Sequence, residues 1–364
     1  MTPDHIEAIA AFVQMEMLED GYAAVAEFHY LHKQPDGKPY DDVAELSGRI
    51  CAAASDTGIG LTLLPVLYEH GGCDGRALGA GQKRFGNTLD KYAGLQRAAV
   101  KAAGTLPDDT IVGVAPHSLR AVSRDGLKFA ERLATDAPIH MHLAEQVAEV
   151  TEVETAWGKR PADWLLSNHK VDARWCLIHC TQMTPDETAG LAATGAVAGL
   201  CPITESSLGD GIFDGVRYLN AGGRFGVGSD SNIRISLAEE LRTLEYSQRL
   251  RDRGRAMLAT PEKSTGRVLF DEACAGGARA AGRTAGSIEA GRLADLLSLD
   301  AGTPNLTGRS GDALLDSFIF AGDNHLVSEV WAAGRYCVRE RNHMPRGRII
   351  QQYIETITDL HNHW

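Results

Sequence analysis

Aromatic residues are scarce, at 6%, and no apolar run reaches the ~18 residues that a bilayer-spanning helix needs. Positive charge is also in deficit. Lys and Arg number 36 against 48 Asp and Glu in 364 residues, a formal net charge of −12. Such a surface repels phosphate backbones and anionic lipid, so neither nucleic acid nor a membrane is an expected partner. Asp4, Glu7, Glu16, Glu19 and Asp20 argue against a secretory signal at the start. The seven cysteines (51, 73, 176, 180, 201, 274 and 337) are odd in number and scattered, with no C-x-x-C pair. They read as reduced thiols, mostly small core residues, in a cytoplasmic protein. Cys176 and Cys180 flank His179, but strand alternation would put both cysteines on one face and His179 between them. Neither G-x-G-x-x-G nor a P-loop occurs, which counts against a nucleotide-binding fold.

What is present alternates. Nearly continuous runs of Val, Leu, Ile, Ala and Gly predict strands over 23–30, 60–68, 110–118, 138–145, 173–181, 196–204 and 224–231. Between them, helices are expected at 4–19, 42–57, 88–104, 124–134, 158–168, 184–194 and 214–222. Strands and helices alternating at intervals of roughly 25–40 residues imply parallel βαβ units. Polar clusters close nearly every strand: Phe28-His29-Tyr30, Tyr68-Glu69-His70, His117-Ser118, His142 to Glu145, His179, Thr204-Glu205 and Ser229-Asp230. Carboxyl strand ends are where a (β/α)8 barrel places its active site, so the expected fold is α/β, a TIM-like barrel over 1–282. Past residue 260 the texture changes. A helix at 266–281 precedes glycine-punctuated, strand-like stretches at 286–300 and 327–338, read as a small β domain over 283–345. A helix at 348–360 closes the chain within a terminal segment, 346–364.

Three strand ends offer His, His and Asp in order. His140 and His142 lie two apart on one strand, so both point inward, with His142 nearer the mouth. His142 suits a metal ligand and Glu145, just past the strand, a proton shuttle beside it. The alternative for an inward histidine, and for His140 above all, is a hydrogen-bonded core residue. His179 ends the next strand, where a half-buried polar side chain is the competing reading. Asp230 ends an apolar strand, where a carboxylate must be paired, metal-bound or neutralised. Ser229 and Asp230 could instead cap a helix.

Taken together, His142-Leu-Ala-Glu145, His179, Gly228-Ser229-Asp230 and Gly-Ser-Ile-x-x-Gly-x-x-Ala-Asp-Leu over 286–296 resemble the amidohydrolase superfamily, in its aminohydrolase branch. Glu-Val-Trp-Ala-Ala-Gly-Arg over 329–335 strengthens the likeness. Stretches 26–30, 60–68, 117–122, 204–213 and 244–253 look like the formimidoylglutamate deiminases, which turn N-formimidoyl-L-glutamate into N-formyl-L-glutamate and ammonia in histidine degradation. The resemblance implies a metal-dependent hydrolase barrel with a small β-sandwich, one zinc ion per chain and a small-molecule substrate carrying carboxylates. It also allows a homodimer. Carried over by position, His142 resembles the strand-five zinc ligand. Asp230 resembles the strand-eight ligand, which also takes a proton from the water. Glu145 resembles the acid that protonates the departing nitrogen, and His179 the histidine that orients the water. Tyr30, His117 and Arg120 resemble substrate contacts. The chemistry agrees, since zinc lowers the pKa of bound water toward ~7 and a guanidinium suits a carboxylate. Read without the resemblance, Arg120 is a surface ion pair and Tyr30 a strand-end aromatic.

The resemblance also implies a first strand with His-x-His, giving two more zinc ligands, ahead of the opening helix. The expectation is thus a truncated or wrongly started version of a full enzyme, its activity impaired, with its first barrel strand and part of its β-sandwich missing. His361-Asn-His363 reads as a frayed tail, and His29 and His32, three apart, would face different ways on a strand. Two ligands fall short of the three or so a catalytic zinc site needs. The rivals are a purine, pterin or guanidino deaminase of the same branch, an inactive barrel that binds a small molecule, and a nucleotide-binding oxidoreductase.

Overall fold

A computed structural model describes residues 1–363. Its strands are β1 (Ala24–His29), β2 (Gly60–Leu67), β3 (Ile111–Val112), β4 (Ala115–Pro116), β5 (Ile139–Leu143), β6 (Trp175–His179), β7 (Val197–Leu200), β8 (Arg224–Val227), β9 (Leu296–Leu299), β10 (Val327–Ala332), β11 (Arg335–Arg339) and β12 (Asn342–His343). The α-helices are α1 (Pro3–Glu19), α2 (Glu45–Thr57), α3 (Leu89–Ala103), α4 (Arg124–Leu133), α5 (Val147–Trp157), α6 (Pro161–Asn168), α7 (Pro185–Ala193), α8 (Pro202–Leu208), α9 (Gly215–Asn220), α10 (Leu237–Asp252), α11 (Thr265–Ala280), α12 (Asp312–Phe320) and α13 (Arg346–Asn362). No helix among the described residues is long and apolar enough to cross a membrane.

β1 to β8 run parallel in chain order, with β3 and β4 as two halves of one strand position. A single parallel bridge, Val114 to Ile139, joins this position to β5. The split comes from Gly113, where a Cβ would lie 2.5 Å from the Pro138 carbonyl oxygen and 2.7 Å from Leu64 Cδ2. Only a residue without Cβ lets these neighbours so close. The row curls on itself. Phe28 of β1 meets His142 of β5 edge-on at 4.5 Å. Near the strand starts, Thr62 Oγ1 and His140 Nε2 donate to the successive carbonyls of Ala281 and Ala280, each at 2.7 Å. The end of α11 thus plugs the amino end of the barrel, and His140 is a hydrogen-bonded core histidine. Among the described residues β1 and β8 are the edges of the row.

All eight residues of β2 are buried, as strands covered on both faces must be. Helix starts follow local chemistry. In α7, Thr184 caps the helix, Pro185 takes the first position and Glu187 returns a carboxylate to the Thr184 amide at 2.7 Å. The same chemistry corrects one expectation. The strand expected over 196–204 stops at Leu200, because Pro202 opens α8 and the Glu205 carboxylate accepts the Cys201 amide at 2.9 Å. Alternation through 176–180 also fails. His179 and Cys180 have φ of 70° and 55°, so the strand ends before Cys180. Helices α5, α8, α10 and α12 were not expected.

The small β domain, expected as the remnant of a β-sandwich, is one four-stranded antiparallel sheet, ordered β12-β11-β10-β9. Helices cover it in place of a second sheet: His343 Nε2 donates to the Thr57 carbonyl at 2.7 Å, at the end of α2. The tail motifs anchor this sheet to the barrel. Asp295 and Asp109 flank the buried Arg283 guanidinium at 3.1 and 2.9 Å, and Arg335 reaches Asp109 at 2.7 Å. Asp295 also accepts the Ala333 amide at 2.7 Å. α13 lies on α1, with Phe12 and Tyr353 stacked at 3.9 Å. It remains helical to Asn362, so His361 belongs to a helix rather than a frayed tail.

Candidate active site

The carboxyl ends of β5, β6 and β8 bend sharply. Ala144, His179 and Asp230 hold φ of 50°, 70° and 48°, a region L-residues rarely adopt. Strain of roughly 1–3 kcal/mol per residue persists only where the surroundings fix it, and such residues cluster at functional sites. The first two bends end β5 and β6, and the third lies three residues past the end of β8.

His142 donates from Nδ1 to the His117 carbonyl at 3.0 Å, which leaves Nε2 as a free acceptor. Burial, with His179 nearby, holds its pKa far below the ordinary value, so the ring is neutral and competent as a ligand. The His179 ring stacks 5.6 Å away. Its Nδ1 lies 3.2 Å from Glu205 Oε1 and its Nε2 3.9 Å from Glu145 Oε1. Burial opposes a charge on His179, but the Glu205 and Glu145 carboxylates outweigh it and raise the pKa.

Glu145 accepts from Arg120 Nη2 at 2.7 Å. Burial pushes its pKa up, yet His179 and Arg120 hold it below the ordinary value, so it rests ionised. Glu149 fixes the turn that presents Glu145. Its carboxylate, buried on α5, accepts the amides of Ala144 and Glu145 at 3.1 and 2.8 Å. In the free protein Arg120 serves these acids, and its Nε has no hydrogen-bond partner.

Tyr30 and His117 form an aromatic wall with Phe28, Tyr68 and Phe85. His117 is 5.5 Å from Tyr30 and 4.6 Å from Tyr68, and Tyr30 is 5.6 Å from Phe85, all centroid to centroid. Burial raises the Tyr30 pKa, with Asp230 and Glu145 adding to it, so the phenol stays a donor. Burial lowers that of His117. All seven expected residues (Tyr30, His117, Arg120, His142, Glu145, His179 and Asp230) therefore surround one mouth. His29 and His32 do not join them. His29 alternates with Phe28 to the other side of β1, and His32 Nε2 donates to the Val66 carbonyl at 3.0 Å.

The sequence reading missed Cys201. Donor atoms of His179, Cys201 and Asp230 lie within 4.8 Å of one another. Imidazole, sulfur and carboxylate, with the free Nε2 of His142 beside them, make a donor set that fits zinc. Burial pushes the Cys201 thiol well up, so only a cation would draw out its proton. The position just after β7 and before Pro202 was the available signal. Glu149 was also missed as part of the site, and Glu205, placed among the strand-end polar clusters, was given no role.

The model of the amidohydrolase family matches residues 1–337. A formimidoylglutamate deiminase of Pseudomonas aeruginosa is 48% identical over 99% of this chain and 80% of its own length. The crystal structure of an amidohydrolase from Brucella melitensis superposes with a TM-score of 0.95 at 46% identity, covering 99% of this chain and 80% of that one. An adenosine deaminase from Xanthomonas campestris, crystallised with bound zinc, shares the fold at a TM-score of 0.82 and 21% identity, over 100% of this chain and 76% of its own. With the strand-end acids and histidines in place, the match from end to end leaves one assignment: the chain belongs to the amidohydrolase family.

Proposed function

We propose that this chain hydrolyses N-formimidoyl-L-glutamate to N-formyl-L-glutamate and ammonia. The observation that carries this reading is the 48% identity to the Pseudomonas deiminase over nearly the whole chain. His142, His179 and Asp230 would hold a zinc ion, with Cys201 beside them. When bound, zinc supplies a water acidic enough to lose a proton near pH 7.

The protein's own groups move the protons. A formamidine is a cation at neutral pH. As the water oxygen bonds to the formimidoyl carbon, the C=N π pair moves onto nitrogen and Asp230 takes a proton from the water. Glu145 rests ionised, so it receives that proton before passing it to the terminal NH2. The C–N bond then breaks, ammonia leaves with the electron pair, and Asp230 takes the hydroxyl proton as the formyl carbonyl forms. His179, its Nδ1 held by Glu205, would turn Nε2 to the zinc ion, and the Arg120 guanidinium keeps Glu145 ionised between turnovers. The aromatic wall excludes water. Tyr30, His117 and the free Nε of Arg120 receive the glutamyl carboxylates.

The test is ammonia release by the zinc-loaded protein from N-formimidoyl-L-glutamate and from adenosine. Release from the first alone is expected. Release from adenosine alone would overturn the assignment.

A further inference from the structure

Asp230 stands in a turn that resists its own conformation. Asp230 and Asn232 have φ of 48° and 53°, so two residues of three lie in the left-handed region. Such a turn persists only where its surroundings fix it. Ser229 Oγ donates to Asn232 Oδ1 at 2.5 Å, and the Asn232 amide donates to the Ser229 carbonyl at 3.1 Å. Thr204, a buried residue of α8, ties this turn to the preceding strand connection. Its hydroxyl donates to the Ser229 carbonyl at 3.1 Å, accepts from the Ser231 amide at 3.2 Å and meets Ser231 Oγ at 2.9 Å. With its one proton given to Ser229, Thr204 is the acceptor for both Ser231 groups. A hydroxyl offers one donor and two acceptor sites, and all three are taken up by the residues on either side of Asp230. The helix that carries Thr204 is itself anchored. The Ile203 amide donates to Glu240 Oε2 at 2.9 Å, and Glu205 reaches His179 Nδ1 at 3.2 Å. Successive residues of α8 thus meet the turn of Asp230 and the ring of His179.

We infer that Thr204 is a positioning residue, which sets the Asp230 carboxylate for zinc and for the proton transfer assigned to it. The inference rests on the reading of the site given above. Thr204 acts through the backbone on both sides of Asp230, not on the reacting atoms. One oxygen ties the carbonyl of residue 229 and the amide of residue 231, so the peptide planes around Asp230 cannot turn without breaking a hydrogen bond. Without that oxygen the left-handed residue relaxes. Its carboxylate then leaves the cluster in which the donor atoms of His179, Cys201 and Asp230 lie within 4.8 Å of one another. Partners that orient a metal ligand are worth roughly 10–100-fold in metal affinity or activity.

Thr204→Val keeps the branched shape and removes the hydroxyl. Competition with a chromophoric chelator should show zinc held roughly 10–100-fold more weakly than by the native protein. At saturating zinc, kcat for ammonia release should fall ~10-fold or more, with KM for N-formimidoyl-L-glutamate within about 3-fold of the native value. Thr204→Ser restores the donor and both acceptors and should recover zinc affinity to within about 3-fold. Asp109→Ala, which loosens the far end of the barrel, should hold zinc as the native protein does. Should Thr204→Val fail to fold, Ser231→Ala removes one partner of the hydroxyl from an exposed position. Zinc held about 3-fold more weakly by that variant supports the inference, and native affinity overturns it. Native zinc affinity in Thr204→Val, or an equal weakening in Thr204→Ser or Asp109→Ala, would likewise overturn it while leaving the deimination reading intact. If the native protein releases no ammonia, that reading fails alone, and the zinc competition still decides the role of Thr204. A native protein that binds no zinc overturns the inference whatever its activity.

Discussion

Glu145 is the residue on which the chemistry turns most visibly. A positioned acid contributes about 10²–10⁴-fold to rate, so Glu145→Gln should lower kcat by that range while KM moves little. Ammonia release measures it. Glu149 acts through Glu145. Truncation in Glu149→Ala leaves the amides of Ala144 and Glu145 without acceptors, at about 1–3 kcal/mol each, and frees the turn. Urea unfolding should show the loss of stability and turnover a fall in kcat, whereas Glu149→Gln should keep part of both. His142, Glu145, His179 and Asp230 could be found in the sequence because strand ends in a βα repeat all face one mouth. Cys201 could not, and Glu205 could be placed at a strand end but given no role, because their importance depends on what faces them across the mouth, and spacing along a chain carries no such information. Glu149 lies one helical turn beyond Glu145, where an acid reads as an ordinary solvated position.

At the scale of elements, strands were easier to read than helices. A strand buried on both faces is an apolar run whatever it touches. Helix α10 was hidden because its buried face includes Glu240, Glu245 and Gln248 among its leucines, which breaks the apolar period. Glu240 gives that face a pH dependence. Its Oε2 accepts the Ile203 amide at the start of α8 at 2.9 Å, while Oε1 is buried without a partner. Burial raises its pKa to about 9. The folded state therefore binds this proton more tightly than the unfolded chain does. The group's stabilising contribution is complete below the ordinary carboxylate pKa and is lost as pH rises through about 9. Glu240→Gln should flatten this fall, so that its stability relative to the native protein improves from pH 5 to pH 9, as urea midpoints can show. At the other end of the barrel, Asp109→Ala removes one of the two carboxylates that hold the buried Arg283 and unpairs Arg335. A loss of about 1–3 kcal/mol is expected from the Arg283 N–H group left without an acceptor. An Asp109→Ala variant as stable as the native protein would show that Asp295 alone satisfies Arg283.

Taken as a whole, the molecule is acidic, and its mouth is more so at depth than its one paired guanidinium offsets. That arrangement suits a substrate with a cation at the reacting end and carboxylates at the other. The barrel plan was legible from the order of its strands. The form of the small sheet was not, because a sandwich and a helix-backed sheet both need only one apolar face per strand. The acids, histidines and thiol at the mouth have one purpose in common if a zinc ion sits among them. The most direct measurement strips metal with a chelator, confirms its removal by elemental analysis, and then titrates zinc back while following ammonia release from N-formimidoyl-L-glutamate. The expected result is loss of release on stripping and full recovery at one zinc per chain. Undiminished release from the metal-free protein would contradict it.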